Sequence, residues 1–465
     1  MAGIGFRLEK ILSRNSYLNL LEGYAYSAVV SAGPVLFTIF SILILTILSY
    51  GKMDPYDVTV FRTLVVYIYG FSLILSSFSQ MVLTRYIADR IFVKDFKALI
   101  PAFVGLLCMS ILLHAIVGVT GSLFLDLGFG IEITAIVLFI TIGISWIAMI
   151  LLSGAKEYIR IVHSFMVGSI LSIFAGFFLG KYFGLLGLLS GFTVGQVTLV
   201  ILLVVQVFTE FDFRKRIEFY FFQYFRKYTA LAFIATFYNI GVWGDKFVFW
   251  FSPETRDYVH GFLYASPSYD VPVFLAYLFI VPSLAMVTIR VETSFYIHYK
   301  KYFLSILNKH PYVSLDERRK NILKDLYLSL GRMLVFQGTI TLIGIVFSNS
   351  IYERVGMSAM GLAIFQVVIL ATFLQSLLLP LLLMMLYFDF RLDALIMSAI
   401  FAITNIVLSR LSIELGYSYY GYGYLGSCFL ALLTGFILFN YRLKHLLFYT
   451  FVSQRIIVHV DTAEA

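Results

Sequence analysis

Between Asn239 and Trp250 an otherwise apolar run carries an amide, an indole, a carboxylate and an ammonium, from Asn239, Trp243, Asp245 and Lys246. Asn239, Trp243 and Lys246 fall at i, i+4 and i+7, so a helix places them on one face. That mixture suits a sugar, whose faces stack on aromatics and whose hydroxyls need donors and acceptors. Charge inside a hydrocarbon layer costs about 2.5–3.5 kcal/mol per residue at a helix centre, so such groups face a partner or water. The four residues are therefore candidates for the wall of a hydrated substrate path. The opposing reading puts Asp245 and Lys246 near the interface, where they snorkel and bond between helices. Asp245 points about 100° away from Lys246, and its expected partner is a basic or amide group on a neighbouring span.

Other chemistry is sparse. Gly421, Gly423 and Gly426 spell GxGxxG, but in a Tyr-rich loop entering a span rather than between a strand and an amphipathic helix, so no dinucleotide site is expected. There is no HExxH, nucleophile elbow or Walker loop, which leaves no catalytic residue, no cofactor and no ATP-driven step. Glu254, Asp257 and Asp270 are the acidic group that a competing reading, a membrane glycosyltransferase or ligase, would have to use. Cys108 and Cys428 both lie in apolar runs, so neither a disulfide framework nor a metal cluster is expected.

The elements that must hold these residues are set by composition. The chain is 60% hydrophobic and 13% charged, against about 45–50% and about 25% in soluble domains. Apolar runs of the length a bilayer requires begin near Tyr24, Phe61, Ala98, Ile133, Ser164, Leu185, Thr229, Val271, Met333, Ser358, Leu392 and Leu425, and they are apolar on every face. The expected fold is an all-α integral membrane protein of about twelve transmembrane helices rather than a barrel. Alternate loops hold the basic residues, including Arg85, Arg90, Lys94, Lys97, Arg214, Lys215, Arg216, Arg226 and Lys227, whereas 121–131 has no Lys or Arg. Both termini are therefore expected in the cytoplasm. The net charge of +8 is explained by anionic membrane lipid, and nucleic acid is excluded as a partner.

The expected organisation is an amphipathic cytoplasmic segment over 1–23, a six-helix lobe over 24–210, a basic linker over 211–228, a second six-helix lobe over 229–441 with a cytoplasmic loop at 290–332, and a tail over 442–465. Met81-Val-Leu-Thr-Arg85 and Met286-Val-Thr-Ile-Arg290 close spans two and eight, and Gly184 and Gly187 open span six as Gly423 and Gly426 open span twelve. An ordered repeat of this kind implies two lobes related by a pseudo-two-fold along the membrane normal, with the substrate path between them. It places Arg85 and Arg290 as equivalent basic groups at the inner mouth. Gly33 and Pro34 interrupt span one, where proline removes a backbone donor, and mark a helix pivot. In the 290–332 loop, Phe295, Tyr302, Phe303, Ile306 and Leu307 form the stripe of a surface helix, and Ser314 with Glu317 fits a capping box. Arg318, Arg319, Lys320 and Lys324 then project as a docking surface for a cytoplasmic partner.

The opening Met1-Ala-Gly-Ile-Gly-Phe6, Ser31 to Pro34, Gly244-Asp245-Lys246, Phe274-Leu-Ala-Tyr277 leading to Pro282, Arg290-Val-Glu292-Thr and Tyr387-Phe-Asp389 before Arg391 resemble the Pel exopolysaccharide transporter family (PelG), over nearly the whole chain. The resemblance implies a polysaccharide exporter of the multidrug/oligosaccharidyl-lipid/polysaccharide flippase superfamily, with two six-helix lobes around a central cavity. It also implies an inner-membrane complex with a cytoplasmic glycosyltransferase and accessory membrane proteins, one a cyclic-di-GMP receptor. It assigns no substrate-binding residues. Export of an amino-sugar-rich polysaccharide is the leading expectation; the alternatives are a flippase of lipid-linked oligosaccharide and a non-transporting scaffold for a glycosyltransferase.

Overall fold

The structure is a computed structural model that describes residues 17–155, 157–211, 219–289 and 295–452, nearly all of them helical. Residues 1–16 of the amphipathic segment expected over 1–23, Arg214 to Arg216, and Arg290 lie outside the described residues. Helices α1 (Tyr17–Ser49), α2 (Pro55–Phe92), α3 (Leu99–Ser122) and α4 (Phe129–Gly154) are followed by one long helical stretch, Tyr158–Glu210. That stretch doubles back at Gly184, whose φ of 56° and ψ of −135° suit only glycine. Its halves are α5 (158–183) and α6 (185–210).

The glycine row explains how α5 and α6 approach so closely. A Cβ on Gly187 would lie 2.0 Å from the Leu179 carbonyl oxygen, and one on Gly191 would lie 2.4 Å from that of Ala175. Backbone thus meets backbone, as small residues permit in a bilayer. Asp57 accepts the Leu185 backbone N–H at 3.0 Å, which places a carboxylate at the start of α6.

The second half contains α7 (Thr229–Phe251), a hairpin of β1 (Asp257–His260) and β2 (Leu263–Ala265), α8 (Pro267–Leu278), α9 (Val281–Ile289), α10 (Tyr296–Leu307), α11 (Tyr312–Val346), α12 (Ala359–Tyr387), α13 (Arg391–Leu415) and α14 (Tyr422–Lys444). α8 and α9 form one crossing, broken just before Pro282, which supplies no backbone donor. Among the described residues ten helical stretches are long and apolar enough to cross a bilayer. The doubled-back stretch counts twice, and the 23-residue α7, polar and aromatic at its middle, completes twelve.

Packing shows the symmetry. α1 packs on the α5–α6 pair, α2 and α3 on α4, α7 on α13, and α8 and α11 on α12; between the sets, α2 meets α7 and α1 meets α9. Exchanging the first six crossings for the last six carries each of these pairs onto another, as a two-fold axis along the bundle requires. One end of the bundle carries Arg85, Tyr228 and Arg391 and is called the basic end. At the opposite end the β-hairpin reaches from lobe two to lobe one: the Phe262 N–H donates to the Phe124 carbonyl at 3.1 Å, and His260 bonds the Asp126 carbonyl at 2.9 Å and the Tyr56 hydroxyl at 2.6 Å.

Two local expectations are revised. α11 begins at Tyr312 with Pro311 as its N-cap, so Ser314 lies inside the first turn and no capping box forms. The α10 stripe is not purely a membrane-facing surface. Phe295 and Tyr302 are fully buried in the lobe-two core, and Phe295 meets Tyr387 and Phe388 edge-on, while Leu307 remains exposed.

Candidate functional site

α7 is the shared wall of two environments. Its Trp243, Phe247 and Trp250 face α2: Trp243 lies against Gly70, Phe247 stacks on Phe71 at 5.0 Å, and Trp250 stacks on Tyr67 at 4.7 Å. A Cβ on Gly70 would sit 3.0 Å from the Trp243 ring, so the absence of a side chain there seats the indole. This aromatic row is the seam between the lobes.

Behind the seam lies the charge. Asp245 is fully buried; it accepts from the Tyr269 hydroxyl at 2.8 Å, from the Asn405 amide at 3.3 Å, and from the Lys246 ammonium at 3.1 and 3.2 Å. The amide on a neighbouring span is Asn405 of α13, which also donates to the Gly241 carbonyl at 2.7 Å. The four-carbon stem of Lys246 folds back across the angle that separates adjacent residues on a helix. Its ammonium also donates to the Val242 carbonyl at 2.9 Å and the Tyr277 hydroxyl at 3.3 Å, and stands over the Tyr277 ring at 4.4 Å and the Tyr424 ring at 5.3 Å. Tyr277 in turn donates to Tyr424 at 2.6 Å, and Tyr424 to Gln375 at 2.6 Å. An ammonium has three protons, and carbonyl, carboxylate and phenol take all three.

The three residues on the expected common face therefore separate. Lys246 turns into lobe two, and Trp243 turns to the seam, half-buried, with its indole N–H bonded to none of the described residues. Asn239, also half-buried, donates to the Ala235 carbonyl at 3.0 Å, and its own carbonyl oxygen is bonded to none of the described residues. Asn239 and Trp243, one turn apart, thus offer an acceptor and a donor beside aromatic faces. Sequence reasoning missed Tyr269, Tyr277 and Tyr424. The available signal was tyrosine deep inside a span, where a hydroxyl has no water and needs a partner.

The acidic group of the enzyme reading is dispersed. Glu254 pairs with Arg410 at 3.0 Å, Asp270 accepts the Trp250 indole N–H at 2.9 Å and the Ser266 backbone N–H at 3.0 Å, and Asp257 sits in β1. Hydrogen bonding to the Arg410 guanidinium holds the Glu254 carboxyl below its ordinary value.

At the basic end the Tyr228 ring stands between lobes, with Arg85 of α2 at 5.4 Å, Arg391 of α13 at 4.6 Å and Lys227 at 5.2 Å. Arg85 also pairs with Asp89 at 3.1 Å. Beside this cluster a cavity of about 470 Å³ is lined by Asp89, Arg90, Tyr220, Tyr224 and Lys227, among others. Pro34 lies within a continuous α1, and a Cβ on Gly33 would be in ordinary contact with Val162 of α5. Of the four basic loop residues, Arg319 is committed to Asp316 at 2.7 Å and the Lys444 carbonyl at 3.1 Å, Lys320 pairs with Asp316 at 2.9 Å, and Arg318 donates to the Lys301 carbonyl at 3.2 Å. Lys324 is exposed.

The profile of the PelG, exopolysaccharide exporter (EPS-E), family matches residues 1–451. The chain belongs to this family. Among curated proteins none matches its sequence. Among solved structures it is similar to an outward-facing multidrug resistance MATE family transporter of the MOP superfamily, at 12% identity and a TM-score of 0.63, covering 91% of this chain and 96% of that one. An inward-facing MATE transporter of the same superfamily gives 13% identity and 0.60, over 87% and 94%. A MOP superfamily transporter from Pyrococcus furiosus gives 15% and 0.56, over 91% and 96%. At such identities the likeness is one of fold. The family and fold are those of multi-pass membrane transporters, and an exopolysaccharide exporter family implies a polysaccharide substrate.

Proposed function

We propose that this PelG-family protein exports an amino-sugar-rich exopolysaccharide across the bacterial inner membrane, along the seam between its two lobes, with its basic end and both termini in the cytoplasm. The observation that carries the reading is the pair of uncommitted groups at the seam, the Asn239 carbonyl and the Trp243 indole N–H, set among aromatic faces in an exporter family. Aromatic stacking with a few polar contacts is weak at each sugar and repeated along a polymer, which suits passage better than capture. Asp245 and Lys246 act one layer behind. Their bonded network fixes the pitch of α7 against α8, α13 and α14, and so the placement of Trp243.

The cytoplasmic partner in this reading is a glycosyltransferase that feeds the polymer, with accessory membrane proteins that include a cyclic-di-GMP receptor. The α10–α11 segment supports docking through Lys324, Lys320 and Arg318, whereas Arg319 braces α14. Gly33 and Pro34 serve as the pivot of α1. A second reading, a flippase of lipid-linked oligosaccharide, is favoured by the Arg85, Arg391 and Lys227 cluster, which could take a diphosphate. Purified protein in liposomes separates the two. Export reading: polymer accumulates inside only when the glycosyltransferase elongates it outside. Flippase reading: a lipid-linked repeat crosses without the glycosyltransferase.

A further inference from the structure

From Leu326 to Val346, α11 carries one charged residue, Arg332. That stretch matches the roughly 20 residues a hydrocarbon core requires. Arg332 lies six residues, about 9 Å, along the helix from Leu326, beside the expected start of the span near Met333. It is exposed on the outer surface of lobe two and bonds to no described residue. An arginine exposed where a lipid-facing helix enters the membrane is within reach of lipid phosphate and gains by pairing with it.

Two further features sit on the same face. Gly331 has open space where a Cβ would be, so nothing in the fold calls for glycine there; in a helix it costs about 1 kcal/mol relative to alanine. Beside it a groove of about 730 Å³ runs past Val335, Thr339 and Ile343 toward the far end of the helix. Toward the basic end, Lys324, Leu328 and Arg332 fall at i, i+4 and i+8, so two cations share one row, and Lys324 is exposed without a partner among the described residues.

We infer that this row is a binding site for an anionic phospholipid of the bilayer, with its phosphate on Arg332, Lys324 adding attraction at headgroup level, and an acyl chain in the groove opened by Gly331. The charge pattern selects the occupant. A guanidinium pairs bidentately with phosphate, and basic pockets on membrane helices attract anionic headgroups. The apolar groove lies on the membrane-interior side of the arginine, where a chain attached to that phosphate must run.

Native mass spectrometry of the purified full chain tests the site, with phosphatidylglycerol and phosphatidylcholine of identical chains added separately. The wild type is expected to retain phosphatidylglycerol at about one tenth the concentration needed for phosphatidylcholine, a difference of about 1.4 kcal/mol. Arg332→Gln is expected to erase that preference, Arg332→Lys to keep most of it, and Gly331→Leu to weaken retention of both lipids. Lys97→Gln, an exposed cation at the same end in lobe one, should leave retention unchanged. Both α11 positions are exposed, so a monodisperse elution profile verifies folding. Equal retention of the two lipids by the wild type, or an unchanged preference in Arg332→Gln, overturns the site. A photoreactive side chain at Val335 that labels a protein helix rather than lipid in intact cells overturns the choice of occupant.

Discussion

The two lobes share a skeleton and differ in what they bury. Each ends in a helical hairpin closed by glycine: α5–α6 turns at Gly184, and α13–α14 turns through Gly421, where Gly423 presses on the Leu408–Ser409 backbone. In lobe one the buried polar groups at mid-bundle are neutral. Tyr69 donates to Gln196 at 3.0 Å, Gln196 to Ser172 at 3.1 Å, and Ser172 to the Phe192 carbonyl at 3.0 Å, while Trp146 donates to Ser72 at 2.9 Å. In lobe two the corresponding space holds Asp245 and Lys246 with three tyrosines and two amides. The neutral network is complete within its lobe and reads as packing. The charged one abuts the seam, where a change in either partner is felt by Trp243.

The largest effect should come from breaking the charged network. Asp245→Asn leaves the Lys246 ammonium in a low-dielectric cage without its counter-ion, and removing one member of a buried pair costs about 3–5 kcal/mol. Export should be abolished and the melting temperature in detergent lowered. Asp245→Leu with Lys246→Met should recover the melting temperature without recovering export. If that double variant exports normally, the charge in lobe two is only structural.

The neutral counterpart should be milder. Gln196→Leu removes the acceptor of the Tyr69 hydroxyl and leaves Ser172 with the Phe192 carbonyl alone, at about 1–3 kcal/mol for a buried group left unsatisfied. Stability should fall, while export per molecule inserted in the membrane stays near wild type. Loss of export at normal protein level would mean that lobe one also lies on the path.

At the seam itself, Gly70→Ala brings a Cβ to 3.0 Å from the Trp243 ring. A single methyl there should displace the indole at a cost of about 1 kcal/mol and reduce export severalfold, as Trp243→Leu would. Unaltered export in both variants would remove Trp243 from the path. The smallest effect is at the hairpin end. Arg410 depresses the Glu254 carboxyl below its ordinary 4.5, so the stabilisation exists above that pH and is lost as pH falls through the lowered value. The melting-temperature difference between wild type and Glu254→Gln should be present at pH 7 and shrink on acidification; a difference independent of pH would show that charge on Glu254 is not its source.

How much was legible follows from what each residue's neighbours in the chain can decide. Hydrophobic runs, basic loops and the paired Met-Val segments are local quantities, and they set the number of crossings and the two-lobe repeat in advance. Asp245 and Lys246 stood out as well, because charge in an apolar run is visible in one dimension. Their bonds did not. Asn405, Tyr277 and Tyr424 lie far along the chain from Asp245, and no spacing rule links them. A helical wheel sets the direction of a Cβ but not the end of a lysine, whose stem reached back to Asp245 and took Lys246 off the face it shared with Trp243. The α10 stripe was read from its own pattern, yet Phe295 found the α12 end and Tyr302 the lobe-two core instead of lipid alone.

The sequence by itself therefore determined a polytopic helical membrane protein and its internal repeat, since a bilayer forces every spanning backbone to satisfy its own hydrogen bonds and admits few alternatives. Only the tertiary structure decided which polar side chains neutralise one another and which remain free. Inside a bilayer those pairings depend on contacts between helices distant in sequence, where each buried donor takes the nearest acceptor that packing brings to it.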